Sequence, residues 1–259
     1  MTDSVALLLS LGLSWIGVAF LIFVRVGAAM AVLPAFGEKS IPQRIRLVLT
    51  IAFTMIVFPS AAGDLKPLDL VPAAMGGAIF PEVSAGLVFG LAFRLFVMTL
   101  QMAGVMIAQS TSLSQIFGGG VVEAQPAIGH ILAVAGLALA VMLGLHVRLS
   151  ELLIVSYTLF PFGEFVSAQD LLTWGTSHVG ATFSLAFTLA APFVIGSLVY
   201  NVALGVINRA MPQLMVAFVG APAITLGGLI LLFACAPVLL EVWQGEFAKL
   251  LANPFGGMR

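Results

Sequence analysis

Charge is what this sequence has least of. Asp, Glu, Lys and Arg make up 8% of the 259 residues, against 61% apolar residues, where soluble domains carry about 25% charged residues. A chain so poor in charge cannot clothe a folded surface in hydrated groups. A freely soluble domain is excluded, and most of the exterior must meet lipid or other apolar protein. The mean hydropathy of +1.17 agrees. The formal net charge is −1 and the pI near 6.3. That leaves no basic face to neutralise phosphates, so no nucleic-acid partner is expected. Cys235 stands alone in the apolar run LLFACAPVLL; it can form no internal disulfide and reads as a small hydrophobe. His130, His146 and His178 lie far apart, with no Cys or acidic residue at ligand spacing, so no metal site is expected. A nucleophile elbow, a P-loop and a dinucleotide fingerprint are all missing. The run Phe117 to Gly120 lacks the Lys-Ser/Thr of a phosphate cradle. Neither catalysis nor a cofactor is expected.

What the chain does hold is apolar blocks, at about 5–36, 45–59, 73–116, 128–145, 174–207 and 212–243. In lipid the backbone must satisfy its own hydrogen bonds, so these blocks are helices, and a crossing takes ~20 apolar residues. Blocks 45–59 and 128–145 fall short of that length, whereas 73–116 and 212–243 exceed it and contain Gly or Pro. Gly76, Gly77 and Pro81 are expected to divide the third block into a short element at 68–80 and a long helix from about 82 to 114. The expected fold is an all-α membrane protein of about six to eight apolar helices in tilted or bent hairpins. It forms a single domain, because no connection is long enough to separate independent ones. The first block carries Asp3 and no Lys or Arg ahead of it, so it reads as a retained helix and not a cleaved signal. Alternating crossings would put Lys39, Arg44, Arg46 and Arg209 on one side and Lys66, Arg148, Lys249 and Arg259 on the other. This tie sets no orientation and suggests that some of the chain does not sit in the bilayer as hydropathy implies.

Arg25, Glu82, Arg94 and Glu151 lie in or at the ends of apolar helices, where an ionised group costs about 2.5–3.5 kcal/mol on insertion scales. The arginines read as charged hydrogen bonds between helices or to a partner subunit, since arginine does not release its proton. Glu82, after Pro81 at an expected helix start, reads as a cap favoured by the helix dipole. Glu151 reads as a partner of Arg148, three residues away on the same face. A proton or ion relay is the alternative. Gly86 and Gly90 form a GxxxG pattern that permits close helix approach.

The stretch 109–128 is the sharpest local feature. Gln109, Ser110, Thr111, Ser112, Ser114 and Gln115 end a long apolar helix in polar groups. Ile116 and Phe117 follow, then Gly118, Gly119 and Gly120, then VVEAQP ending at Gln125 and Pro126. It reads either as an exposed connector or as a movable constriction in a pore, with Ile116 and Phe117 excluding water.

Several stretches together resemble one family. They are Arg25-Val-Gly-Ala-Ala-Met-Ala-Val-Leu-Pro34-Ala-Phe-Gly37 with Ile41-Pro42-Gln-Arg44-Ile-Arg46, and Glu82 to Gly90 leading into Gln101-Met-Ala-Gly104. Next come Gly144-Leu-His146, then Ser156-Tyr and Phe160-Pro161-Phe-Gly163. The most specific is Ala191-Pro192 with Asn201-Val-Ala-Leu-Gly205-Val-Ile-Asn-Arg209-Ala-Met-Pro212-Gln213-Leu. In order and spacing these resemble the FliR family of flagellar export and its injectisome counterpart SctT, more the flagellar branch. The chain departs from the family pattern where an Asp-Pro usually follows the central helix, here SLSQIFGGG, with only Gln125-Pro126-Ala-Ile-Gly129 resembling the remainder. Met215 stands where Asn is common, and APAIT (221–225) lacks a common Lys.

The resemblance implies a subunit of the export gate, in the bacterial inner membrane at the flagellar basal body. It would assemble with FliP and FliQ homologues into a helical ring partly lifted above the bilayer, with FlhB and FlhA homologues as further partners. About 1–170 would be a FliP-like region and 171–259 a FliQ-like region. Unfolded substrates would pass through a central channel, driven by the proton-motive force and a separate ATPase. Ser114, Gln115, Ile116, Phe117, Gly118, Gly119, Gly120, Gln125 and Pro126 would contribute to a plug that closes the channel at rest. Arg25, Glu82, Arg94 and Arg209 would be structural or intersubunit charges. Two rival readings are a small secondary transporter, with Arg25, Glu82, Arg94 and Glu151 along its path, and a passive scaffold that only nucleates assembly.

Overall fold

A computed structural model describes residues 2–38, 41–62, 72–112, 127–211 and 216–256. Among them the chain forms seven α-helices and no strand: α1 Thr2–Val32, α2 Gln43–Ala62, α3 Pro72–Ser112, α4 Ala127–Met142, α5 Leu145–Leu159, α6 Ala168–Ala210 and α7 Val216–Ala252. The all-helical membrane architecture read from the apolar blocks is what the chain adopts. Five helices are long and apolar enough to cross a membrane, and the bent pair α4 and α5 makes a sixth if counted as one span.

The expected division of the third block does not occur. α3 runs unbroken through Gly76, Gly77 and Pro81. A proline ring forfeits one backbone hydrogen bond and crowds the preceding turn. Leaving the helix in an apolar setting strands several backbone groups with no water to receive them, so bridging the proline costs less. Pro192 in α6 and Pro222 and Pro237 in α7 are carried the same way. α7 also outruns its apolar block, continuing past Trp243 through the exposed pair Lys249 and Glu246 (2.6 Å). The fourth block is interrupted near its end, where α4 stops at Met142 and Gly144, whose φ of 81° suits a residue without a side chain, precedes the first turn of α5.

Two compact units make up the chain. One comprises residues 1–95, 141–178 and 251–259, the other 96–140 and 179–250. These are clusters in space, each drawn from separate stretches of sequence; the division near residue 170 concerns likeness along the chain and is a different matter.

In the first unit α1 packs on α2, and α2 on α5. The buried stripe of α1, Val18, Leu21, Ile22, Val26, Ala29 and Met30, with Leu33 just beyond its end, follows the helical period and includes Arg25. α3 meets α1 along the GxxxG pair. A Cβ on Gly86 would strike the Arg25 carbonyl oxygen, and one on Gly90 would come within 2.7 Å of the Ala29 carbonyl oxygen. The pattern therefore serves close backbone approach. Arg46 ties down the turn after α1, donating to the carbonyls of Phe36 (3.1 Å) and Glu38 (3.2 Å). The segment after α7 returns to this unit. Phe255 sits among Phe89, Phe160 and Trp174 at ring distances of 6.1, 5.0 and 6.1 Å, and Trp174 Nε1 donates to Pro254 O at 3.2 Å.

In the second unit Trp243 stacks on Phe247 (5.0 Å), both rings lie against Phe96, and Trp243 Nε1 donates to Phe96 O at 3.3 Å. Gly136 leaves room for this cluster, since a Cβ there would strike Leu100 and come within 3.4 Å of the Trp243 ring. α3 and α4 cross at Gly104 and Gly129, where a Cβ on Gly104 would collide with the Gly129 backbone.

Candidate functional site

The first unit is organised around a buried ion pair. Helical spacing brings Arg25 onto the inner face of α1, and Leu149, Leu153, Ser156 and Phe160 onto the inner face of α5 and the residue after it. Glu82 lies ten residues inside α3, so it does not cap a helix start as its place after Pro81 suggested. It pairs instead with Arg25 through two parallel bonds, Nε to Oε2 at 2.7 Å and Nη2 to Oε1 at 3.0 Å. Arg25 and Glu82 are 1% and 0% exposed.

Further partners occupy most of what remains of both groups. Arg25 donates to Phe160 O at 3.0 Å and to Ser156 Oγ at 3.3 Å, and its guanidinium carbon lies 3.7 Å from the centre of the Tyr157 ring. The Gly163 backbone N–H donates to Glu82 Oε1 at 3.1 Å, from a turn that Gly163 makes with φ 74°. Fork geometry and full burial make this a strong charge-assisted contact. Chemically the cluster is built to hold α1, α3 and the connection after α5 together. Arginine gives up no proton, and both carboxylate oxygens are engaged.

The other singled-out charges lie elsewhere. Arg94 is half-buried and donates to Val32 O at 3.3 Å. Glu151 sits on an exposed face with Arg148 at 2.8 Å, the pairing expected from their spacing. Arg209 occupies the exposed last turn of α6, where a cation suits the helix dipole. Arg25, Glu82, Arg94 and Glu151 thus take part in three separate pairings. His178 stacks on Trp174 at 4.9 Å and faces Ala92 O at 3.2 Å. Among the described residues no group of three His, Cys, Asp or Glu side chains is placed to hold a metal. The nine residues expected to contribute to a plug, Ser114, Gln115, Ile116, Phe117, Gly118, Gly119, Gly120, Gln125 and Pro126, lie outside the described residues.

The second unit holds a polar contact where α3 approaches that stretch. Ser197 Oγ on α6 donates to the carbonyl oxygen of Ser110 in the last turn of α3. Asn201 Nδ2, one turn along α6, donates to Ser197 O (2.8 Å) and Ser197 Oγ (3.1 Å). Ser110 and Ser197 are buried. Beside them runs a groove of about 610 Å³ lined by Met106, Gln109, Ser110, Val194, Ser197, Leu198 and Asn201. One residue before Asn201, Tyr200 donates to Gly220 O at 2.9 Å and joins α6 to α7. Sequence reading passed over Ser197. The signal was a serine one helical turn before an asparagine in an otherwise apolar helix, the arrangement in which one amide supports one hydroxyl.

Comparison with known proteins adds what geometry does not carry. Residues 16–250 match the model of the family described as bacterial export proteins, family 1. The flagellar biosynthetic protein FliR of Caulobacter vibrioides is 34% identical over 236 residues, covering 90% of this chain and 94% of that protein. FliR of Escherichia coli is 26% identical over 245 residues, covering 92% and 91%. FliR of Bacillus subtilis is 25% identical over 237 residues, covering 88% and 89%.

Proposed function

This chain belongs to family 1 of the bacterial export proteins, and from that premise we propose that it is a non-catalytic subunit of the flagellar protein export gate. It completes a channel-forming ring with FliP and FliQ homologues in the bacterial inner membrane, at the flagellar basal body. Residues 1–170 take the FliP-like place in that ring and 171–259 the FliQ-like place. FlhB and FlhA homologues are the neighbouring partners, and unfolded export substrates pass through the channel. The match over residues 16–250, with relatives named for flagellar biosynthesis across about 90% of the chain, carries this reading.

The bareness of the last two helices supports a partnered subunit. The apolar windows of α6 and α7 are only 17% and 11% buried, against 61% in α3. Surfaces of that extent and chemistry are covered by lipid or by other apolar helices. Arg25 and Glu82 serve as internal structural charges, and Arg94 and Arg209 as structural or intersubunit charges.

Within the gate, the stretch from Ser114 to Pro126 forms the resting closure. Ile116 and Phe117 exclude water, and Gly118, Gly119 and Gly120 give the backbone freedom to move aside. Deleting Gly118–Gly120 is expected to raise the passive leak of small solutes through assembled complexes several-fold while the complex still purifies intact. Unchanged permeability in intact complexes would remove the plug role. Unchanged permeability together with normal export by loop variants would favour a passive scaffold.

A further inference from the structure

We infer that the arginine-bearing start of α2 binds the headgroup of an anionic phospholipid, whose acyl chains run down the bare face of that helix. The inference needs only that the chain sits in a membrane, so it is independent of the export-gate reading. Net charge gives no hint of a basic face, yet folding assembles a small one. In the first unit Arg25 and Arg148 each carry a carboxylate. Arg44, Arg46 and Arg94 have no ion-pair partner among the described residues, and all three gather at the connection from α1 to α2. Arg44 is exposed in the first turn of α2. Arg46 donates to Phe36 O and Glu38 O, and Arg94 reaches from α3 to Val32 O. Glu38 is the acid in this segment, which leaves the patch net positive.

The bonds these arginines make leave donors over. A guanidinium carries five N–H groups. Arg94 keeps its structural bond through Nη1 alone, and Arg46 uses Nε and Nη2. Arg44 makes no side-chain bond among the described residues. Nor does α2 gain from its own cations. At a helix N-terminus they oppose the dipole, and the first turn holds no acid to offset them. Several unpaired guanidinium groups at one place call for an anion with several oxygens. Phosphate fits that fork geometry, and basic patches beside membrane helices take anionic headgroups.

Depth and length agree with a lipid. The apolar window of α1 ends at Val32 and that of α2 begins at Gln43, so the patch lies where hydrocarbon gives way to water. From there Arg44, Val48, Ile51 and Met55 follow helical spacing down one face. The three apolar residues are 64%, 40% and 70% exposed. At ~1.5 Å per residue the stripe descends about 16 Å, close to the ~15 Å depth of one hydrocarbon leaflet. A cationic head above an apolar strip one leaflet deep is the complement of an anionic phospholipid.

The test uses the complex purified whole in detergent and washed free of its own lipid, reading melting temperature against added lipid. Dioleoylphosphatidylglycerol at about a hundred times its dissociation constant is expected to raise the melting temperature by about 5–10 °C. Dioleoylphosphatidylcholine is expected to raise it far less. Arg44→Gln breaks no bond within the described chain. It is expected to shift the phosphatidylglycerol titration to about fivefold higher concentration, the factor for one arginine near an anionic surface. Adding Arg94→Gln is expected to shift it further, whereas Arg148→Gln, elsewhere in the same unit, is expected to leave it in place. Equal rises with both lipids would mean apolar cover without headgroup recognition, and would overturn the inference. The same rise with inorganic phosphate alone would make this a free-anion site and overturn the lipid assignment. A native titration in both the Arg44 variant and the double variant places the lipid elsewhere and equally overturns it. No response to either lipid means that another subunit closes the patch, and the inference is wrong. If the double variant does not assemble, Arg44→Gln alone decides between these outcomes.

Discussion

Arg25→Ala is expected to cost about 3–5 kcal/mol, enough to remove most folded protein from the membrane, because it leaves a buried carboxylate without its counter-charge. Glu82 is 0% exposed, and with the guanidinium gone the Gly163 N–H is its remaining donor within the cluster. The carbonyl of Phe160 and the hydroxyl of Ser156 lose their donor in the same stroke. The decisive comparison is with the double variant Arg25→Met, Glu82→Leu. Replacing both members of a buried pair by apolar groups of similar volume is often neutral, whereas breaking it from one side is not. The yield and melting temperature of the purified protein should therefore fall sharply in the single variant and largely recover in the double. Equal loss in both would mean that packing of the arginine stem, and not the stranded charge, dominates the site.

Gly104→Val is expected to cost about 3 kcal/mol, at the upper end for overpacking. The reason is local. Any Cβ at Gly104 collides with the backbone of Gly129, and backbone cannot step aside as a side-chain end can. The two helices must separate, losing the close contacts that hold apolar helices together where lipid offers no hydrophobic driving force. Gly180→Ala in α6 is the matched control, because a Cβ there meets nothing within 4 Å. Better helix propensity gives it a gain of up to about 1 kcal/mol. Melting temperatures of the purified protein check both. A Gly104→Val protein that melts with the native chain would mean that α3 and α4 do not cross at these glycines.

How much of this was legible in the sequence follows from range. Helices announce themselves through apolar length, and every helix but α5 lies on a block read that way. α5 escapes because His146, Arg148 and Glu151 dilute its apolar residues. The other exceptions are boundaries. Pro81 looked like a break because in water a proline inside a helix usually is one, yet in an apolar medium the unbroken helix is the cheaper choice. The end of α7 ran past its apolar block because Glu246 and Lys249 pair on an exposed face, and hydropathy cannot tell a helix's wet end from its stop. The Arg148 and Glu151 pair was readable because it is local, three residues apart. The Arg25 and Glu82 pair was not, since the partners stand 57 residues apart and no spacing rule reaches that far. The same holds for Ser197 and Ser110, 87 residues apart. What the sequence did offer was indirect. Three stretches quoted for the family resemblance, around Arg25, Glu82 and Ser156 to Gly163, converge on a single cluster. The ordered motif there reports a tertiary contact that no one fragment reveals.

The bare apolar surfaces of α6 and α7 must be shared with other small helical proteins of the export apparatus if the proposed role holds. The most direct test is the native mass of the affinity-tagged chain, extracted from its own membrane in mild detergent. The expected result is a stable assembly several times the 27.0 kDa of this chain, containing FliP and FliQ homologues. A fully functional particle holding this chain alone would contradict it.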